Sequence, residues 1–360
     1  MKIASLEVIP YALPFREPYV TARGRLDRRE MVLLRLRDEE GRNGLGEAVP
    51  LSLRGGASLA VVVDELKALG KRDSLDEATL RANATELSAP ARCAALTALL
   101  DLRGRSSAER PTPQLPTEPD DDRKPERSSP VECNATLVAG EPAAVAADAL
   151  AWAGEGFATF KLKLGAGDDV GRVRAVRKAV ASEARIRVDA NAAWDVETAK
   201  RTLAAIEPFD VELAEQPVDG LEALAEVGAA TSISIAGDEC IETCADAEEA
   251  ARAGACDIAS VKLSKVGGPE AAVEIAEVMP TYLSSALDGP VGIAAAAQVA
   301  QTLAQSPDGS RFAHGLATQR LFASTIASVE CELRDGMLHP PEGPGLGVEI
   351  DEDALRAHRL

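Results

Sequence analysis

From residue 131 onward the chain repeats one rhythm: a short apolar run, an Ala-rich stretch, then another apolar run. The runs fall near 131–137, 158–164, 185–189, 210–214, 233–236, 257–263, 281–287 and 311–314, and stretches such as AAVAADALAWAGE and VETAKRTLAAIE separate them. Strand–helix alternation repeated about eight times means a parallel sheet, and eight units favour closure into a barrel. The competing topology, an open doubly wound sheet, usually carries a Gly-rich phosphate loop after its first strand. VECNATLVAGEPAA has no G-x-G-x-x-G. The expected fold is therefore α/β, a modified (β/α)8 TIM barrel over residues 131–323.

The first hundred residues read differently. Residues 2–12, 30–37 and 44–48 have strand character, and helical patterns follow near 57–70, 75–87 and 89–103. That predicts an α+β domain over 1–103. PFREPYVTARGRLDRR and LSLRGGAS read as loops. Residues 104–130 are Pro-, Ser- and charge-rich, cannot bury a core, and read as a polar linker. The turn-rich segment 324–360 is predicted to pack back on the first domain.

A formal charge of −19 excludes a nucleic-acid partner, because neutralising phosphates needs clustered Lys and Arg. It equally excludes a basic, membrane-binding surface. No apolar run approaches the roughly 20 residues of a membrane-spanning helix. Met1 runs straight into KIASLEVIPYAL without a leader, and six scattered cysteines suit a reducing compartment, so a cytoplasmic protein is expected. Only three histidines exist (His314, His339 and His358), so any acid–base chemistry must rest on Lys, Asp or Glu.

Four of the apolar runs end in charge: FKLKLG with Lys161 and Lys163, VDANAAW with Asp189 and Asn191, ELAEQP with Glu215, and AGDEC with Asp238 and Glu239; a fifth, SVKLSKVGG, places Lys262 within its strand. From Lys163 to Asp189, Glu215, Asp238 and Lys262 the steps are 26, 26, 23 and 24 residues. One βα unit has that length, so each side chain reaches the same end of consecutive strands, where barrel enzymes place their sites. Three convergent carboxylates repel one another, and a hard divalent cation relieves this; all-oxygen ligands suit Mg²⁺, with Mn²⁺ as substitute. Asn191 and Glu239 would support the ligands. Lys161 and Lys163, roughly 6–7 Å apart on one strand face, are expected to lower each other's pKa. Lys262 would approach from the opposite side. Taken singly, a K-x-K is an exposed strand face and an Asp after a strand is a helix N-cap. Five such placements at one spacing are not explained that way.

This pattern resembles the muconate-lactonizing branch of the enolase superfamily over nearly the whole chain, through Lys161-Leu162-Lys163, Asp189-Ala190-Asn191, Glu215 in EQP, Asp238 in DE, and Lys262 followed by Gly267–Gly268. The resemblance implies a Lys base and a metal-stabilised enediolate, the known chemistry of that superfamily. It also implies that 1–130 form a capping domain, completed by the C-terminal tail, whose loops near 15–29 and 51–57 close over a small-molecule carboxylate. Tyr19, Arg23 and Arg54 are candidates to touch it, against the alternative that they are solvated. Within the branch, YLSSALDGPVGIAAAAQVA and AHGLATQRLF resemble the o-succinylbenzoate synthases of menaquinone biosynthesis, with Ser284, Ser285 and Asp288 as substrate-binding candidates. N-acylamino-acid racemases, dipeptide epimerases and muconate cycloisomerases share the scaffold. A metal-binding protein without catalysis is the reading from another class, and a homo-oligomer stays open.

Overall fold

The structure is a computed structural model that describes residues 1–21, 24–51, 55–71, 75–107, 129–304 and 312–360. Arg23, Arg54 and most of the expected linker lie outside the described residues. Among the described residues no helix is long and apolar enough to cross a membrane.

Three antiparallel strands open the chain: β1 (Lys2–Thr21), β2 (Gly24–Asp38) and β3 (Asn43–Ala48). With the short β4 (Leu75–Asp76) they form a sheet of order β3-β2-β1-β4. β1 runs nine residues past its expected end at residue 12, through Pro14 and Pro18. β4 pairs only with Lys2 and Ile3, so most of β1 is an edge strand, where proline is tolerated, and a register shift separates Pro14 from Tyr19. Helices α1 (Leu59–Leu69), α2 (Glu77–Ala84) and α3 (Ala89–Ser107) cover the sheet. The Ser58 hydroxyl and the Asp76 carboxylate cap α1 and α2 by accepting from Val61 and Thr79 N–H. α3 continues past residue 103 because Leu102 and Gly104 are still buried and Arg105 bonds Asp101 one turn back. β3 lies so close to α3 that a Cβ at Gly46 would sit 1.9 Å from the Ala94 carbonyl oxygen.

After β5 (Val131–Glu132), parallel strands alternate with helices: β6 (Ala135–Leu137), α4 (Pro142–Gly154), β7 (Thr159–Lys163), α5 (Asp169–Ala179), β8 (Arg185–Asp189), α6 (Val196–Ile206) and β9 (Val211–Glu215). Then come α7 (Leu221–Gly228), β10 (Ser234–Gly237), α8 (Cys244–Ala253), β11 (Ile258–Val261), α9 (Leu263–Val266), α10 (Pro269–Val278), β12 (Thr281–Leu283) and α11 (Pro290–Leu303). The helices follow from local pattern. In α6, Ala199, Leu203 and Ile206 form the buried stripe, and the Asp195 carboxylate caps the first turn.

β6 to β12 form one seven-stranded sheet in sequence order. The eighth position is taken by His314 and Gly315, bridged to Cys133 and Ser284. Gly315 N–H donates to Leu283 at 2.7 Å and His314 N–H to Glu132 at 2.7 Å, which closes the barrel. Leu213, Ala236, Ile258 and Tyr282 form a small buried cluster of their own on its strands. The chain then returns to the cap through β13 (Ala327–Val329), β14 (Glu332–Arg334), β15 (Met337–His339), β16 (Glu349–Ile350) and α12 (Glu352–His358). Leu346 N–H donates to Asp101 of α3 at 2.6 Å, and Leu360 N–H to Pro10 of β1 at 3.0 Å.

Candidate active site

Strand register brings the charged residues together. Lys163 of β7 is paired with Asp189 of β8, and Asp189 with Glu215 of β9. Asp238 lies just past β10, and Lys262 just past β11 rather than inside it, as the residue that begins α9. β7 and β11 are four strands apart in an eight-membered ring, so Lys163 and Lys262 face each other across the mouth. Asp189, Glu215 and Asp238 are at most 1% exposed.

Buried carboxylates need partners, and here lysines supply them. The Lys161 ammonium donates to Glu215 Oε2 at 2.5 Å and lies 2.9 Å from Asp189 Oδ2. Lys163 Nζ donates to Asp189 Oδ2 at 2.5 Å and to Asn191 Oδ1 at 2.8 Å. Lys262 donates to Asp238 Oδ2, and Lys265 to Asp238 Oδ1 at 2.8 Å. The Tyr282 hydroxyl donates to Glu215 Oε2. Glu239 Oε1 accepts from the Asn191 amide at 3.4 Å.

Two turns after the strands carry non-glycine residues with positive φ: Asn191 (48°), Ala192 (58°) and Gln216 (40°). Such backbone costs energy and persists where contacts over-determine it. Asn191 N–H donates to Asp189 Oδ1 at 2.9 Å. Gln216 Oε1 accepts from Asp238 N–H at 2.9 Å and Cys240 N–H at 3.3 Å, tying the turn after β9 to the turn after β10.

Burial acts to lower the Lys161 pKa, but Asp189 and Glu215 outweigh it and hold the ammonium well above its ordinary range. The expected mutual lowering by the K-x-K pair is therefore reversed at Lys161, because two carboxylates stand closer to it than a second cation can offset. Burial acts to raise Asp189, and the two lysines outweigh it and hold the carboxyl well below the usual range.

The other candidates have local partners. Ser285 Oγ donates to Asp288 Oδ2 at 2.7 Å and accepts from the N–H groups of Leu287 and Asp288, shaping the turn before α11. Ser284 is buried beside Gly315, whose Cβ would lie 3.0 Å from its hydroxyl. Tyr19 sits in the arm of β1 rather than in a loop, stacked on Phe15 at 5.6 Å, which stacks in turn on Phe322. A cavity of about 740 Å³ opens beside this stack, lined by Leu13, Asp288, Phe322 and Glu330 among others, and reaches none of the four lysines.

A second group of buried acids joins cap to barrel. Glu47 of β3 accepts from the Tyr11 hydroxyl at 2.8 Å and from Gly289 N–H, at the start of α11, at 2.6 Å. Burial, then the charge of Asp288, pushes Glu47 up to about 7. Burial also raises Asp288, against its bonds to Ser285 and Ala286 and the pull of Arg29.

Residues 144–354 match the family model described as Enolase C-terminal domain-like. The chain belongs to the enolase superfamily. Superfamily relatives include Muconate cycloisomerase 1 of Rhodococcus opacus, 35% identical over 208 residues covering 55% of each chain. The o-succinylbenzoate synthase of Thermobifida fusca is 37% identical over 192 residues, covering 52% of this chain and 57% of the relative. The chain thus spans about half the length of the curated relatives it matches. Solved superfamily structures match along the whole chain. The muconate lactonizing enzyme from Pseudomonas fluorescens complexed with muconolactone has a TM-score of 0.88 at 28% identity, over 99% of both chains. The dipeptide epimerase from Enterococcus faecalis complexed with Mg and L-Leu-L-Tyr has a TM-score of 0.84 at 25% identity, over 97% of this chain and 100% of that one.

Three residues that bond this cluster were not among the sequence candidates: Gln216, Lys265 and Tyr282. Gln216 and Lys265 lie inside motifs already singled out, EQP and KLSKVGG. Tyr282 lies 67 residues from its partner and carries no local signal.

Proposed function

We propose that this chain is a Mg²⁺-dependent o-succinylbenzoate synthase, working in the cytoplasm. The observation that carries the proton chemistry is the register of Lys163, Asp189 and Glu215 with Lys262 facing them. The choice of substrate rests on the o-succinylbenzoate synthase relative and on the SSALD turn after β12.

The donor set suits a hard cation. It is three carboxylates without sulfur or imidazole, and Glu215 Oε1 is buried with no hydrogen-bond partner among the described residues. Among those residues no three acids close on one point. Lys161 bridges Asp189 and Glu215, and Lys262 and Lys265 hold Asp238, so lysines balance the charge. Asp189, Glu215 and Asp238 would hold Mg²⁺, with Asn191 and Glu239 supporting them. When bound, the ion supplies positive charge where the substrate carboxylate gathers negative charge in the transition state.

The residues of the chain do the rest. Lys163, a quarter exposed at the mouth, takes in its neutral form the proton from the carbon next to the ring carboxylate of 2-succinyl-6-hydroxy-2,4-cyclohexadiene-1-carboxylate. It returns that proton to the departing hydroxyl on the same face, which leaves as water. Lys161 stays charged and adds positive potential. Lys262, anchored on Asp238, stays charged on the opposite face and stabilises the planar anion. Ser284, Ser285, Asp288 and Tyr19 remain candidates for the succinyl end.

A muconate cycloisomerase is the second reading, favoured by the 35% identity to the Rhodococcus enzyme and the 0.88 TM-score. The test is turnover of the cyclohexadiene substrate by wild type, Lys163→Ala and Lys262→Arg. Wild type should form o-succinylbenzoate, Lys163→Ala none, and Lys262→Arg a trace. Lactone formation from cis,cis-muconate without dehydration would establish the second reading. Deuterium exchange into N-succinylamino acids without dehydration would establish a racemase, and metal binding without any turnover a non-catalytic protein.

A further inference from the structure

Each acid of the cluster has one oxygen held by a group whose donor hydrogens are all spent within the protein. For Asp189 Oδ1 it is the backbone N–H of Asn191. For Asp238 Oδ1 it is Lys265, and for Glu215 Oε2 it is Tyr282. We propose that Lys265 and Tyr282 are positioning residues, which fix the orientation in which Asp238 and Glu215 take a divalent cation. This rests on reading the three acids as metal ligands.

Lys265 is 5% exposed, and its ammonium makes three bonds: to Asp238 Oδ1, to the Asp238 carbonyl and to the Ser260 carbonyl at 3.3 Å. An ammonium has three donors, so all are spent on residue 238 and its neighbouring strand. Lys262 and Lys265 are one turn apart on α9, which puts both on the same carboxylate, one per oxygen. α9 stops after that turn at Gly267, with φ of 97°, and a Cβ there would lie 2.2 Å from Arg92 Nε of α3. The cap helix thus backs the turn that aims both lysines.

Tyr282 is fully buried, and its single O–H fixes one oxygen of Glu215, leaving Oε1 without a partner among the described residues. The ring is itself held. The Arg187 guanidinium lies 4.9 Å from its centroid, and Arg187 is anchored by Glu212 and by the Ala313 carbonyl at 2.6 Å. A carboxylate fixed in this way loses less freedom when an ion binds, and removal of such outer partners typically weakens metal affinity by about 10–100-fold.

The experiment is Mn²⁺ titration of the whole protein by calorimetry without substrate, for wild type, Tyr282→Phe, Lys265→Met, Lys265→Arg and Asp189→Asn, with circular dichroism of each. Tyr282→Phe keeps the ring and its stack and removes only the O–H. Tyr282→Phe and Lys265→Met should each weaken Mn²⁺ by about 10–100-fold with native dichroism, and Lys265→Arg should recover part of the loss. Wild-type affinity in Tyr282→Phe overturns the role of Tyr282, whether or not Lys265→Met folds, and wild-type affinity in Lys265→Met overturns that of Lys265. A wild type that binds no Mn²⁺, or binds it no better than Asp189→Asn, overturns the metal reading itself.

Discussion

Asp189, Glu215 and Asp238 at the barrel mouth and Glu47 and Asp288 at the cap contact are all buried, but their charge is handled in opposite ways. At the mouth every acid has an ammonium on it, and Asp189 is held ionised. At the cap contact Glu47 has a phenol and a backbone N–H, and burial drives it towards the protonated form. The first arrangement keeps charge in place for chemistry. The second lets Glu47 shed its charge, the cheaper way to bury a carboxyl whose partners are a phenol and a backbone N–H.

The sharpest way to break this contrast is to remove the cation shared at the mouth. Lys161→Met leaves Glu215 with no cation and Asp189 with Lys163 alone, and should cost about 3–5 kcal/mol in urea unfolding of the metal-free protein. An unchanged unfolding midpoint would mean that the acids do not depend on that ammonium.

At the cap contact the expected effect is smaller and depends on pH. A carboxyl whose folded pKa, about 7, lies above its unfolded value near 4.5 binds its proton more tightly in the fold. Its contribution is therefore full below about pH 4.5 and is lost as pH rises to about 7, by roughly 2–3 kcal/mol. Glu47→Gln should flatten that part of the stability–pH curve, and a slope equal to wild type would assign the titration elsewhere.

An exposed pair supplies the lower end of the scale. Arg320 and Glu155 are bonded at 2.9 Å but are 38% and 50% exposed in their side chains. Glu155→Ala should change stability by under about 1 kcal/mol, and a larger loss would show that solvent does not screen this pair.

Most of the mouth was legible because its residues are spaced by the length of a βα unit, a one-dimensional signal. Lys161, Lys163, Asp189, Glu215, Asp238 and Lys262 all follow from it, and the closing strand at His314 follows from the same rhythm. Partners chosen by three-dimensional closure were not legible. Glu47 meets Gly289 across 242 residues, and Tyr282 meets Glu215 across 67. The length of β1 was missed for another reason: the polar, Arg-containing segment after residue 12 reads as a loop, and its Pro14 and Pro18 suit a strand only at an edge, which is a property of the whole sheet. The pKa of Lys161 was misread because spacing puts Asp189 and Glu215 at the same mouth but gives no distances, and both carboxylates stand on the Lys161 ammonium.

The barrel ring is closed by two residues, and one of them is a histidine. Leu283 N–H donates to His314 Nδ1 at 3.0 Å, so the ring is neutral, and burial, then Arg187, pushes it down to about 3. When the seam breathes open in water the imidazole regains an ordinary affinity for a proton, near pH 6.5. Once it has taken a proton it must give it up before the seam recloses, so mild acid is expected to favour the open seam. Amide hydrogen exchange at Asn134, His314 and Gly315, corrected for intrinsic rates, should then speed up relative to β8 as pH falls from 7 to 5. Equal acceleration of both would mean that the ring opens only with the whole fold. A chain of this kind would lose its circular shape at the seam well before it loses its strands.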